Sequence, residues 1–168
     1  LEEVVGIEPD GLGTIADVNQ RIDPVDTDVR VVNGLGDTVY HTLMGQPSEL
    51  DLGTDLDREF LASYTGPLCI SPRYERLVTA VLGTDALEGV EFVYPAADEE
   101  EEAAVARTGL GVYLTVTGST ARDHGLVVGE HLFPSETVLM RNTAESDAGV
   151  DRAAEVVAVD EAASDIRV

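Results

Sequence analysis

The sequence predicts an α/β fold with a mostly parallel sheet. Short apolar runs of strand type recur along the chain, stretches with apolar residues at helical spacing fall between them, and Gly, Pro or Asp-Pro punctuation separates the two. The 168 residues suffice for one ordinary domain or two small lobes. At 43% hydrophobic and 26% charged residues, the chain has the proportions of a globular protein rather than a disordered one.

Val4–Ile7 reads as a strand ended by Pro9-Asp10-Gly11. Thr14 is an N-cap residue for a helix with Ile15, Val18 and Ile22 on one face, and Asp23-Pro24 breaks that helix. Val29–Val32 is a buried-type strand. Gly34-Leu35-Gly36 is then expected to turn the chain into a helix capped by Asp37, with Val39, Tyr40, Leu43 and Met44 inward. A further helix is expected over 56–64 and a strand over 68–70, and Ser71-Pro72 is a helix start whose apolar face is Tyr74, Leu77, Val78, Val81 and Leu82. Val90–Tyr94 is the next strand. The acidic run 98–102 opens another helix, where carboxylates meet the positive end of the macrodipole and point into solvent. Gly111–Val116 is a strand, Thr117–Thr120 leads into a short helical turn closed by Gly125, and strands over 126–133 and 137–140 flank Pro134-Ser135. Asp151–Val159 reads as a terminal helix with a frayed acidic tail.

The charge is lopsided, with 33 acidic residues against 10 basic ones for a net −23, and every basic residue is Arg. Direct binding to nucleic acid or an anionic membrane is therefore not expected, because the phosphate term would be repulsive. In dilute buffer the fold repels itself, whereas at molar salt the Debye length falls to about 3 Å and the penalty fades. Acid-rich, lysine-free composition thus points to a high-salt cytoplasm. Cys69 is the single cysteine, which leaves no intrachain disulfide; it reads as a buried, inert thiol. No apolar run approaches a membrane span. The chain begins at Leu1 without Met, from which the expectation is processing or a longer protein. Self-association is left open.

The segment with chemical content is Thr117-Gly118-Ser119-Thr120, followed by Arg122. A glycine that lets a ligand approach the backbone, hydroxyls and the unpaired N–H groups of a new helical turn make a nest for an anion, with Arg122 as charge partner. The bland alternative is a capped helix with Ser119 as N-cap. His41 reads as a surface or half-buried helix residue. His124 and His131 lack metal-pair spacing, so neither a metal site nor a cofactor is expected. Gly11-x-Gly13 and Gly34-x-Gly36 read as turns, the second able to offer further ligand-facing amides.

The residues from Thr117 to Thr120, with Arg122, Gly125 and Leu126, resemble the phosphoribosyl-pyrophosphate loop of the ATP phosphoribosyltransferases, the first enzyme of histidine biosynthesis. Ile70–Leu82 followed by Gly89–Val93 is similar to that family's inter-lobe strand, tyrosine-containing helix and next strand, and Ser135–Asn142 to its return strand. The resemblance covers 67–142. It implies a two-lobed fold of the type II periplasmic-binding-protein type with a cleft between lobes, residues 1–66 with 135–168 forming the first lobe and 67–134 the second. By position, Thr117, Gly118, Ser119 and Thr120 would cradle a phosphate. Where the family has acidic residues that grip ribose hydroxyls, this chain has Tyr113 and Val116. The functional expectation is a binding domain for a small anionic or phosphorylated metabolite; if residues precede Leu1, it is the effector-sensing part of a longer protein, such as a transcription regulator. The alternative is a phosphoribosyltransferase.

Overall fold

The computed structural model describes residues 14–23, 27–50, 53–145 and 147–157. In chain order its elements are α1 (Ile15–Ile22), β1 (Val29–Gly34), β2 (Val39–Gly45), α2 (Arg58–Ser63), β3 (Gly66–Ile70), α3 (Glu75–Leu82), β4 (Val90–Val93), α4 (Glu101–Thr108), β5 (Leu110–Thr115), α5 (Ser119–Asp123), β6 (Val127–Ser135), β7 (Val138–Asn142) and α6 (Ala148–Val157). They group into two units, Leu1–Thr38 with Ser135–Val168, and Val39–Pro134. The expected strand over 4–7 and the acidic tail lie outside the described residues.

In the first unit β1 and β7 pair antiparallel, with an irregularity between Val31 and Asn33. The Thr14 hydroxyl caps α1 by accepting the Asp17 N–H at 3.2 Å. Val18 and Ile22 then bury against Val31. The Asn19 amide fastens the helix to the strand, accepting the Val31 N–H (2.9 Å) and donating to its carbonyl (2.8 Å). At the end of this strand pair the Glu136 carboxylate accepts the Gly36 N–H at 2.9 Å. Asp37 accepts the Thr137 N–H at 3.0 Å, so it ties two strands together instead of capping a helix. The amides the sequence offered near Gly36 to a ligand are met in part by the chain's own carboxylate.

The second unit is built on a five-stranded sheet of order β4-β3-β5-β2-β6. β3 runs parallel to β4 and to β5, whereas β2 runs antiparallel to β5. The sheet is mixed, and the expected mostly parallel arrangement is corrected by β2. Residues 39–45 are strand, not helix: Val39, Tyr40, His41 and Thr42 favour the pleated conformation, and Tyr40 pairs with Thr115. This pairing goes with the grouping of β2 in the second unit. Pro134 and Ser135, expected to separate two strands, close β6 itself, where an edge strand tolerates proline; Glu136 and Thr137 are the separator. Ser71-Pro72 begins a 3-10 turn over Pro72–Tyr74 before α3 starts at Glu75, and the Ser71 side chain makes no cap bond.

Strand alternation divides the core. Leu43, Leu68, Ile70 and Val112 face Leu61 of α2 and Val78 of α3, while Met44, Cys69 and Tyr113 face Ala104 and Val105 of α4 and Ala121 of α5. Cys69 is buried, and burial pushes its thiol up. His41 is a correction too. It is wholly buried in β2, its ring stacked on Phe133 at 4.2 Å between centroids. Among the described residues no helix is long and apolar enough to cross a membrane.

Candidate functional site

β5, the central strand, delivers the chain to Thr115 at its carboxyl end, and the next residues turn it into α5. Around this turn lies a pocket of about 240 Å³, walled by Thr115, Val116 and the Thr117–Thr120 loop, with Glu102 from the first turn of α4. The loop marked by the sequence is therefore concave and open.

Gly118 has φ +67° and ψ 19°, a left-handed conformation. A β-carbon there would stand 2.9 Å from Val128 Cγ2. Glycine is required here by the backbone and by packing on β6. Gly118, not Ser119, occupies the cap position of α5, and its carbonyl accepts the Arg122 N–H at 3.2 Å. The Ser119 N–H is spent on the Thr117 hydroxyl at 3.4 Å, and the two hydroxyls lie 3.1 Å apart. The N–H groups of Gly118, Thr120 and Ala121 meet no acceptor among the described residues. Arg122 folds back, donating from Nη1 to the Thr117 carbonyl at 2.8 Å. It braces the loop from outside and is not among the residues that line the pocket.

Tyr113, at a position where the resemblance led to an acidic side chain, is buried with its hydroxyl 3.9 Å from Cys69 Sγ. Burial pushes its pKa up, so it stays protonated. Val116 stands 72% exposed at the pocket's lip. The one carboxylate in the wall comes from Glu102, which the sequence reading left as part of a solvated helix start. No local signal distinguishes Glu102 from its acidic neighbours, because only the crossing of α4 over β5 aims it. His124 lies 3.3 Å from Glu100. His131 sits on β6 with Nδ1 2.8 Å from the Thr42 hydroxyl, which is itself 2.5 Å from the Thr115 hydroxyl at the pocket. Thr42, Thr115 and His131 were not linked by the sequence, since their meeting depends on the register of β2 against β5.

The site is thus a small pocket at the carboxyl end of a sheet strand, lined by amides, hydroxyls and one carboxylate. The chain belongs to the halobacterial ATP phosphoribosyltransferase family, which it matches over residues 1–168. That membership agrees with the high-salt reading of the composition and gives no support to the effector-domain reading. No curated protein matches the chain. Among solved structures, an ATP phosphoribosyl transferase (HisG:HisZ) complex from Thermotoga maritima is similar with a TM-score of 0.44 and 13% identity, over 71% of this chain and 53% of that one. The chain spans about half the length of that structural relative.

Proposed function

We propose that the chain binds phosphoribosyl pyrophosphate in the pocket at the end of β5 and takes part in phosphoribosyl transfer to ATP. The observation that carries the reading is family membership over the whole length, joined to a loop whose amides lack acceptors within a pocket. A phosphate placed there accepts from the N–H groups of Gly118, Thr120 and Ala121 and from the hydroxyls of Thr117 and Thr120. Glu102 would repel a bare phosphate but accepts hydrogen bonds from ribose hydroxyls, so the two walls together select a sugar phosphate. Binding energy collected at the remote phosphate then holds the reacting sugar carbon in place as pyrophosphate leaves. The reading includes a two-lobed fold of the type II periplasmic-binding-protein type that closes on its ligand, a change that small-angle scattering with and without the ligand would register.

The direct test mixes the protein with ATP, phosphoribosyl pyrophosphate and Mg²⁺ in molar KCl and follows pyrophosphate release. Turnover that depends on both substrates is expected. In parallel, ligand at about 100 times its Kd adds about 2.7 kcal/mol, which raises Tm by several degrees. Absence of both turnover and thermal response removes the reading. Thr117→Val and Thr120→Val, which leave the glycine turn intact, should weaken the thermal response without unfolding the protein.

A further inference from the structure

Thr115 lines the pocket, and its hydroxyl meets that of Thr42. Thr42 is wholly buried, and its hydroxyl lies within hydrogen-bond reach of three neighbours: the Tyr40 carbonyl at 3.3 Å, Thr115 Oγ1 at 2.5 Å and His131 Nδ1 at 2.8 Å. His131 itself is exposed, with its ring 4.7 Å from that of Tyr40. A row of two hydroxyls therefore connects the buried wall of the pocket to an imidazole that exchanges protons with solvent.

Counting protons shows what this row does. With the pocket free of an acceptor, Thr115 can donate to Thr42, and Thr42 donates to Nδ1 at 2.8 Å in preference to the Tyr40 carbonyl at 3.3 Å, which keeps the imidazole proton on Nε2. When a bound oxygen accepts the Thr115 proton, Thr115 can no longer donate inward. Two hydroxyl oxygens at 2.5 Å need a proton between them, so Thr42 must turn its own toward Thr115. His131 must then supply the hydrogen to Thr42, and its proton moves to Nδ1. One proton leaves Nε2 to water and one arrives at Nδ1, with no net change in charge.

We propose that the Thr115–Thr42 pair couples the pocket to His131, so that an acceptor bound at Thr115 fixes the imidazole proton on Nδ1 and leaves Nε2 unprotonated. Occupancy of the pocket is thereby reported at an exposed ring nitrogen outside it. The inference rests on the proposed phosphate site, because the occupant must accept a hydrogen bond. Thr42 acts through His131 and is a positioning residue.

The test is nitrogen-15 NMR of the histidine rings in the full chain at about pH 8, where an ordinary imidazole is neutral, with inorganic pyrophosphate added and the Gly118 amide followed as the report of binding. The expected result is movement of His131 from mainly Nε2–H to mainly Nδ1–H as the Gly118 amide shifts. Thr42→Val should abolish the His131 response while the amide still titrates, and Thr42→Ser, which keeps the hydroxyl, should restore it. A Gly118 amide that titrates beside an unmoved His131 overturns the coupling and spares the phosphate site. An amide that does not respond to pyrophosphate overturns both. If Thr42→Val is too unstable to study, Thr115→Val must give the same loss of response, and a persistent tautomer shift in that variant refutes the proposal.

Discussion

His41 offers the sharpest test of the packing. Its ring stacks on Phe133 with an interplanar angle of 20° and meets Tyr74 edge-on at 4.6 Å. Neither ring nitrogen has a partner among the described residues. Burial drives its pKa from 6.5 down to about 4. Between those values the unfolded chain holds a proton that the folded chain refuses, so stability rises with pH across this window and is lost on acidification. Each tenfold gap in proton affinity is worth about 1.4 kcal/mol, which gives a loss of about 2 kcal/mol by pH 5 and about 3 by pH 4. The acidic surface contributes with the opposite sign in dilute buffer, because protonating carboxylates relieves self-repulsion in a chain of net charge −23. Urea unfolding should therefore be run in about 2 M KCl, where screening removes most of that term, and compared with His41→Phe. The variant should lose the His41 share of the pH slope. It should also gain about 1–2 kcal/mol at neutral pH, since it removes an N–H buried without an acceptor. Parallel acid losses in the two proteins would falsify the assignment of a neutral, buried imidazole.

Other outcomes follow from the same contacts. Phosphoribosyl pyrophosphate should bind more tightly as KCl rises from about 0.1 M to about 2 M, the reverse of ordinary anion binding, because salt screens repulsion from the net −23 charge; weaker binding on adding salt, measured by calorimetry, would contradict this. Glu102→Gln should tighten inorganic pyrophosphate several-fold and weaken the ribosylated ligand, and equal effects on both would remove the sugar-binding role of that carboxylate. Gly118→Ala must hold a left-handed backbone and push on Val128. A loss of about 1–2 kcal/mol in chemical unfolding is expected. Asn19→Ala strands the Val31 N–H and carbonyl and should cost about 1–2 kcal/mol, which hydrogen exchange at the Val31 amide would detect.

Some of this architecture is legible along the chain. Thr14 with Ile15, Val18 and Ile22 specifies α1, because cap chemistry and helical spacing agree there. The passage from β5 into a glycine turn is equally plain, since Gly118 is forced by its own backbone. β2 is not legible. Residues 41–45 are all buried, so the strand shows no alternation of apolar and polar residues. Its Val39, Tyr40, Leu43 and Met44 fall at helical spacing by coincidence. Misreading that strand hides the rest: without β2 between β5 and β6, nothing brings Thr42 near Thr115 or His131 near Thr42. Glu102 is invisible for another reason, as its role depends on which of several adjacent carboxylates a helix crossing presents.

The charge of the chain explains why its candidate anion site uses the main chain. Four of its ten arginines pair with surface carboxylates: Arg30 with Asp23 at 3.0 Å, Arg58 with Glu130 at 3.1 Å, Arg107 with Glu99 at 2.8 Å and Arg141 with Asp151 at 2.7 Å. The Arg107 contact holds the Glu99 carboxyl down to about 2. Arg122, the cation nearest the loop in sequence, braces a carbonyl. In molar salt a side-chain cation loses its reach, because attraction beyond about 3 Å is screened. A hydrogen bond from a fixed amide acts at contact and keeps its strength there. A phosphate site of backbone N–H groups and hydroxyls is therefore well suited to such a solvent, and it adds no lysine whose charge would need a counter-ion. The same reasoning fixes the weakness of the design: once the glycine turn is distorted, Arg122, which does not line the pocket, is not in place to hold the phosphate instead.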